Sequence, residues 1–358
     1  MNEAGPYKVI TLLKSLISTP SFSGEENQTA QLIREYLSNY GIEFQQIHNN
    51  IIAFNKHYDP SKKTILLNSH HDTVKVAKGW TRDPFGAKEE GDCIFGLGSN
   101  DAGGALVGLI QTFIEWQAKK LPFNIVLAAT AEEENSGPLG LSIVLKEILG
   151  DCTFGIIGEP TSLEIGVAQK GLIVIDGLVT GKAGHAARNT GINAIYKAAQ
   201  DLETIMNYKF EKVSSYLGPT TVKLTQINGG SLHNVIPDQC SYVLDVRVNE
   251  LYTLQEVVDE LNAGTIAELK PRSLRWHSKG ISADHPIFMV SNDLGIKTMG
   301  SPTLSDQVHC NFPTIKIGPG DSNRSHTADE YICKSEIIAG IKIYDQIVRS
   351  LIKYSNNL

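Results

Sequence analysis

Four short apolar runs, Thr64–Asn68, Asn124–Ala129, Gly155–Ile157 and Thr314–Ile317, constrain this chain more than any other feature. Each is too short for a helix and has no alternating polar face, which is the pattern of strands buried on both sides. Segments of helical spacing separate most of them: Tyr7–Ile17, a stretch opened by Ser23 and Glu26 as a capping box and running toward Gly41, Ala102–Gln117 and Leu139–Leu149. The expected class is therefore α/β, with an open, largely parallel sheet covered by crossover helices.

Between Gln169 and Lys279 the rhythm changes. Strand patterns at Leu172–Val179, Thr221–Ile227, Tyr242–Val248 and Ser273–His277 interleave with helices at Asn193–Tyr208 and Leu254–Leu261. That order, βαββαβ, matches the ferredoxin-like split unit. The division that follows is a larger α/β domain over 1–168 and 282–358, interrupted by a smaller domain over 169–281. Two consecutive domains with a C-terminal appendage are the alternative.

A length of 358 residues agrees with two domains. The net charge of −7 has the wrong sign for a nucleic-acid partner. Cys93, Cys152, Cys240, Cys310 and Cys333 are odd in number and lack CxxC spacing, so reduced thiols are expected rather than disulfides or a thiolate zinc site. With no leader pattern and no long apolar run, the reading is a cytoplasmic protein that does not cross a membrane.

Polar ligand types follow the apolar runs: Ser69-His70-His71-Asp72, Ala131-Glu132-Glu133-Glu134 and Gly158-Glu159-Pro160-Thr161. In open α/β sheets ligands bind outside these strand ends. The segment ending at Asp101 and the segment containing His326 join them by residue type. Taken singly, each has an ordinary reading: a histidine near a turn, an N-cap aspartate, a solvated acidic loop. Together His70, Asp101, Glu134, Glu159 and His326 offer two imidazoles and three carboxylates, too many for one tetrahedral zinc but suited to two ions sharing a carboxylate. Glu133 then remains as an unbound carboxylate able to take a proton from water and deliver it to a leaving amine.

The ordered motifs NSHHDTV, GLGSND, TAEEENSG, IIGEPTSL, QKG, GKAGHAA, NVIPD and SHTADEY resemble those of the dizinc deacylase and exopeptidase family, which includes acetylornithine deacetylase, succinyl-diaminopimelate desuccinylase, aminoacylase and glutamate carboxypeptidases. The likeness spans nearly the whole chain. It implies two Zn2+ per subunit, with Co2+ as a substitute: His70, Asp101 and Glu159 on one ion, Asp101, Glu134 and His326 on the other, Asp101 bridging. Glu133 becomes the general base and acid, and Asp72 orients His70.

The same resemblance implies that the larger domain is catalytic and that the smaller one is a lid and dimerisation domain, closing over the site and joining two copies as a homodimer. In it His185 reaches the neighbouring subunit's site, and Asn234, Arg247 and Arg324 are candidates for holding substrate. The implied substrate is a small N-acyl amino acid, N-acetylornithine or a close relative such as N-acetylcitrulline, in arginine biosynthesis. A desuccinylase, a lysine-biosynthesis deacylase or a metallo-exopeptidase is the alternative. The sequence departs from the family at Asp101-Ala102-Gly103-Gly104, which lacks a lysine, and near Asn189, where a proline is missing. The triple glutamate also leaves Glu132 and Glu133 open as base and ligand.

Overall fold

A computed structural model of the chain describes residues 4–188 and 190–358, so Asn189 lies outside the described residues. The chain forms two compact units, one of Met1–Val167, Ile281–Met299 and Ser305–Leu358, the other of Ala168–Gly280 and Gly300–Leu304. Gly300–Leu304 thus groups with the smaller unit, although the sequence division left it in the larger.

In the larger unit, neighbouring strands run in the order Phe44–Ile47, Asn50–Phe54, Asn124–Thr130, Thr64–His70, Phe154–Ile157, Thr314–Lys316 and the first part of Ile165–Gln169, whose last two residues belong to the smaller unit. The central four, which include all four apolar runs, are mutually parallel. Antiparallel strands flank them. Their side chains alternate between two cores: Ile65, Leu67, Ile125 and Leu127 enter one apolar cluster, Leu66, Val126 and Ala128 the other. This is the period of two that makes a doubly covered strand apolar throughout. Helices Ala4–Ile17, Asn27–Ser38, Gly104–Trp116, Ile287–Leu294 and Lys334–Lys353 supply the first cluster. The short Leu141–Val144 helix and Leu145 supply the second.

The smaller unit has a four-stranded antiparallel sheet in the order Thr221–Gly229, Gln239–Val248, Gly171–Thr180, Glu268–Pro271. Helices Ala194–Asn207 and Leu254–Gly264 bury their apolar stripes on it, Ala198 and Ile205 from one, Val257 and Leu261 from the other. Thr253 and Glu256 form a reciprocal capping box at the start of the second. The last strand lies upstream of the expected Ser273–His277. Pro271 argues against a central strand, but here it sits on the sheet edge, where a missing N–H costs no ladder bond.

Two further local readings are corrected. The helix expected to begin at Ser23 starts at Asn27, and Ser23 Oγ instead donates to Asp72 Oδ2 at 2.7 Å. Cys93 and Cys333, expected as free thiols, are joined by a disulfide across a sequence separation of 240. The cause is register: strands Cys93–Phe95 and Tyr331–Cys333 pair antiparallel with these two residues opposite each other. Cys152, Cys240 and Cys310 are buried free cysteines. Among the described residues no helix is long and apolar enough to cross a membrane.

Candidate metal centre

The parallel strands deliver their polar residues to one edge of the larger unit. His70 is the last residue of Thr64–His70, Glu133 and Glu134 follow Asn124–Thr130, Glu159 follows Phe154–Ile157, and His326 comes after Thr314–Lys316. Asp101 arrives differently, on the turn Ser99–Gly103 that leads into helix Gly104–Trp116. The turn needs its glycines: Gly98 has φ 75°, and a Cβ there would sit 2.5 Å from Thr73 Cγ2.

These side chains converge. His70 Nε2 lies 3.4 Å from Asp101 Oδ1 and 4.0 Å from Glu133 Oε2. On the far side of the same carboxylate, His326 Nε2 lies 3.5 Å from Asp101 Oδ2 and 3.0 Å from Glu134 Oε2. Ligand atoms of His70, Glu133 and Glu159 fall within 4.8 Å of one another, as do those of His70, Asp101 and Glu134. Asp101 thus presents one oxygen to each imidazole, the arrangement a shared ligand requires.

The donor chemistry fits divalent cations. His70 Nδ1 is 3.0 Å from the Asp72 carbonyl oxygen and donates to it, so Nε2, which faces the carboxylates, is the nitrogen able to give up its proton to a cation. Nε2 is buried and has no hydrogen-bond partner. A cation is the group that would satisfy it and the surrounding negative charge together. His71, by contrast, is an ordinary core histidine, with Nδ1 2.9 Å from Thr29 Oγ1 and Nε2 3.0 Å from the Asn49 carbonyl.

Backbone hydrogen bonds set the register of the three glutamates. The N–H groups of Glu132, Glu133 and Glu134 donate to Glu26 Oε1 (3.2 Å), Asp72 Oδ1 (3.1 Å) and Asp72 Oδ2 (3.1 Å). Glu132 takes φ 55°, and its own carboxylate accepts the Leu139 N–H at 3.0 Å, away from the histidines. Glu133 and Glu134 are the two that face His70 and His326. Ser23 and Glu26 are supporting residues that sequence reasoning missed. Their one signal, the Ser-x-x-Glu spacing, imitates a helix cap.

Burial and the neighbouring charges shift the ionisations. Burial, reinforced by Glu159, holds Glu133 well above the usual carboxylate range. Burial pushes Glu159 up to about 8, with Lys316 pulling the other way and Asp101 adding to the rise. The hydrogen bond to Glu134 raises His326 to about 9. For His70, burial opposes the charged ring, yet Asp101 and Asp72 raise it well above the ordinary value. Burial and neighbouring carboxylates thus favour retained protons across the cluster.

The remaining candidates have local partners. On the smaller unit, His185 pairs with Val235 in a two-residue ladder, and the Asn234 carbonyl accepts the Ala186 N–H at 3.0 Å, so these two residues share an exposed corner. Arg247 is gripped by Asp245 through two bonds of 2.7 and 2.9 Å. Arg324 makes a two-pronged pair with Glu336 at 2.8 and 3.1 Å and covers the Tyr331 ring. Both guanidinium groups therefore have structural anchors.

The fold and this cluster define a metallohydrolase. The sequence profile of Peptidase family M20/M25/M40 matches residues 66–350, and the chain belongs to that family. It is similar to the acetylornithine deacetylase of Edwardsiella ictaluri, 29% identical over 95% of this chain and 96% of the relative, and to that of Shigella sonnei, 29% identical over 92% and 94%. Among solved structures it resembles the YXEP protein of Bacillus subtilis, a dinuclear metal binding peptidase, with TM-score 0.76, 18% identity and complete coverage of both chains. It also resembles a Staphylococcus aureus tripeptidase, with TM-score 0.77, 19% identity and coverage of 97% and 99%. The chain is an enzyme of the amide-hydrolysing class acting on a small-molecule substrate.

Proposed function

We propose that this enzyme removes the acyl group from an N-acyl amino acid, N-acetylornithine or a near relative such as N-acetylcitrulline, using two zinc ions. The observation that carries the reading is Asp101, whose two oxygens face His70 and His326, with Glu133 left over beside them. His70, Asp101 and Glu159 would hold one ion, and Asp101, Glu134 and His326 the other. Bound there, such ions polarise a carbonyl and make water more acidic. Glu133 takes a proton from the attacking water and returns it to the departing nitrogen as the carbon–nitrogen bond breaks.

The choice of substrate rests on the similarity to acetylornithine deacetylases along 95% of the chain. Dimerisation through the smaller unit is part of the proposal. Strand Thr221–Gly229 is an edge strand, and Ile227 on it and Tyr196 on the Ala194–Asn207 helix are exposed, Tyr196 by 72%. An unpaired edge with apolar neighbours is a natural pairing surface.

Because Glu133 lies within ligand distance of His70 and Glu159, the deciding variant is Glu133→Gln. It is expected to bind two metal ions per chain, measured by elemental analysis, and to lose about 10²–10⁴-fold in turnover. Loss of one ion would make Glu133 a ligand and overturn its proton-transfer role. Assay of N-acetyl and N-succinyl ornithine, citrulline, lysine and diaminopimelate tests the substrate, with N-acetylornithine or N-acetylcitrulline expected to lead. Preference for succinyl derivatives or for dipeptides would overturn that part.

A further inference from the structure

Glu330 is a buried carboxylate, 2% exposed, immediately before strand Tyr331–Cys333. Among the described residues no Lys, Arg or His forms a salt bridge with it. Its partners are backbone amides of a single turn. Oε1 accepts the N–H of Asn100 at 2.8 Å and of Asp101 at 3.0 Å, and Oε2 accepts that of Gly98 at 3.2 Å. The Glu330 carbonyl takes a fourth, from Gly96, at 2.9 Å. A carboxylate without a cation is costly to bury, and these hydrogen bonds offset that cost only while the turn keeps its shape.

The turn it holds carries Asp101. Resting on the reading that Asp101 is the shared ligand, we infer that Glu330 is a positioning residue that fixes the bridging carboxylate between the two histidines. The link is short, because Glu330 and His326 belong to one loop. The segment bearing one imidazole therefore fastens the turn bearing the carboxylate opposite it. The oxygens of Asp101 stand 3.4 and 3.5 Å from the two Nε2 atoms. A sub-ångström slide of the turn would favour one ion at the expense of the other.

Asp329, its neighbour in sequence, does a parallel job on another segment, accepting the N–H groups of Thr81 and Arg82 at 3.0 Å each. It touches no residue of the cluster through those bonds. The contrast separates general stapling of loops, which Asp329 performs, from placement of a ligand.

Glutamine has the size of glutamate but turns one acceptor oxygen into a donor that would meet an N–H. Glu330→Gln is tested by titrating the full-length metal-free protein with Co2+, following heat and visible absorption, beside the core variant Ile347→Ala as a control for destabilisation alone. Glu330→Gln is expected to bind Co2+ about 10–100-fold more weakly and with an altered spectrum. Ile347→Ala is expected to lower the melting temperature and keep both. Two ions bound by Glu330→Gln with wild-type affinity and spectrum would overturn the inference. If Glu330→Gln fails to fold, Glu330→Asp keeps the charge but shortens the reach, and the same weakening or its absence decides. Asp101→Asn completes the set. If it retains both ions unchanged, the shared-ligand reading itself fails; if it loses them while Glu330→Gln keeps them, only the positioning role fails.

Discussion

Asp72 accepts the backbone N–H of Glu133 at 3.1 Å on Oδ1 while its other oxygen takes the N–H of Glu134 at the same distance. Oδ1 is also 3.4 Å from His70 Nδ1. One buried carboxylate thus holds the backbone of two glutamates and lies beside the imidazole that its own carbonyl engages. Asp72→Asn is expected to lower metal affinity or turnover by about 10–100-fold. Ser23→Ala, which removes the 2.7 Å donor to Asp72, acts through the same group. The double variant should therefore be no worse than Asp72→Asn alone. Additive losses in kcat/KM would show that Ser23 works independently.

The protonation of the cluster makes metal loading visible as acid. In the metal-free chain Glu159 keeps its proton to about 8 and His326 to about 9, whereas unfolded they titrate near about 4.3 and about 6.5. Across that range the folded chain binds more protons than the unfolded one. The contribution of these two groups to the stability of the metal-free protein is then greatest on the acid side of this window and falls as pH rises through about 4 to 9. At neutral pH, ions entering the site should expel several protons per chain, from His70 as well as from Glu159 and His326. Indicator-dye titration and denaturation midpoints measure both effects. Metal uptake without proton release would contradict the assignment of these ligands.

His185 offers a test of shared catalysis. His185→Ala and Glu133→Gln are each expected to be inactive. In mixed dimers one site would have an intact Glu133 together with the neighbour's intact His185. Random mixing should then recover about a quarter of wild-type activity. Confirmed heterodimers with no recovery would return His185 to a local role, holding the Ala187 N–H as it does at 3.1 Å.

The legible parts of this protein are those in which local pattern and tertiary role coincide. The apolar runs announce central strands because burial on both faces leaves nothing polar along them. Since the polar residues that follow such strands meet at one edge, His70, Glu134 and Glu159 can be grouped from their positions in the chain alone. What stays hidden depends on long-range partners. Ser23 and Glu26 have the spacing of a helix cap, yet one serves Asp72 and the other the N–H of Glu132. Glu330 reads as one more acidic residue in SHTADEY, and only the fold places it under Gly98–Asp101. Arg247 and Arg324 carry the right group for a substrate carboxylate, but Asp245 and Glu336 already engage them.

The bond between Cys93 and Cys333 gives the molecule a covalent topology that its linear sequence conceals. Everything from Ala168 to Gly280 lies within the loop this bond closes. A protease that nicks the smaller unit once would open a ring without releasing a fragment, and the two pieces would separate only after reduction and unfolding. Wild-type mass on a non-reducing gel is therefore no proof that the backbone is intact.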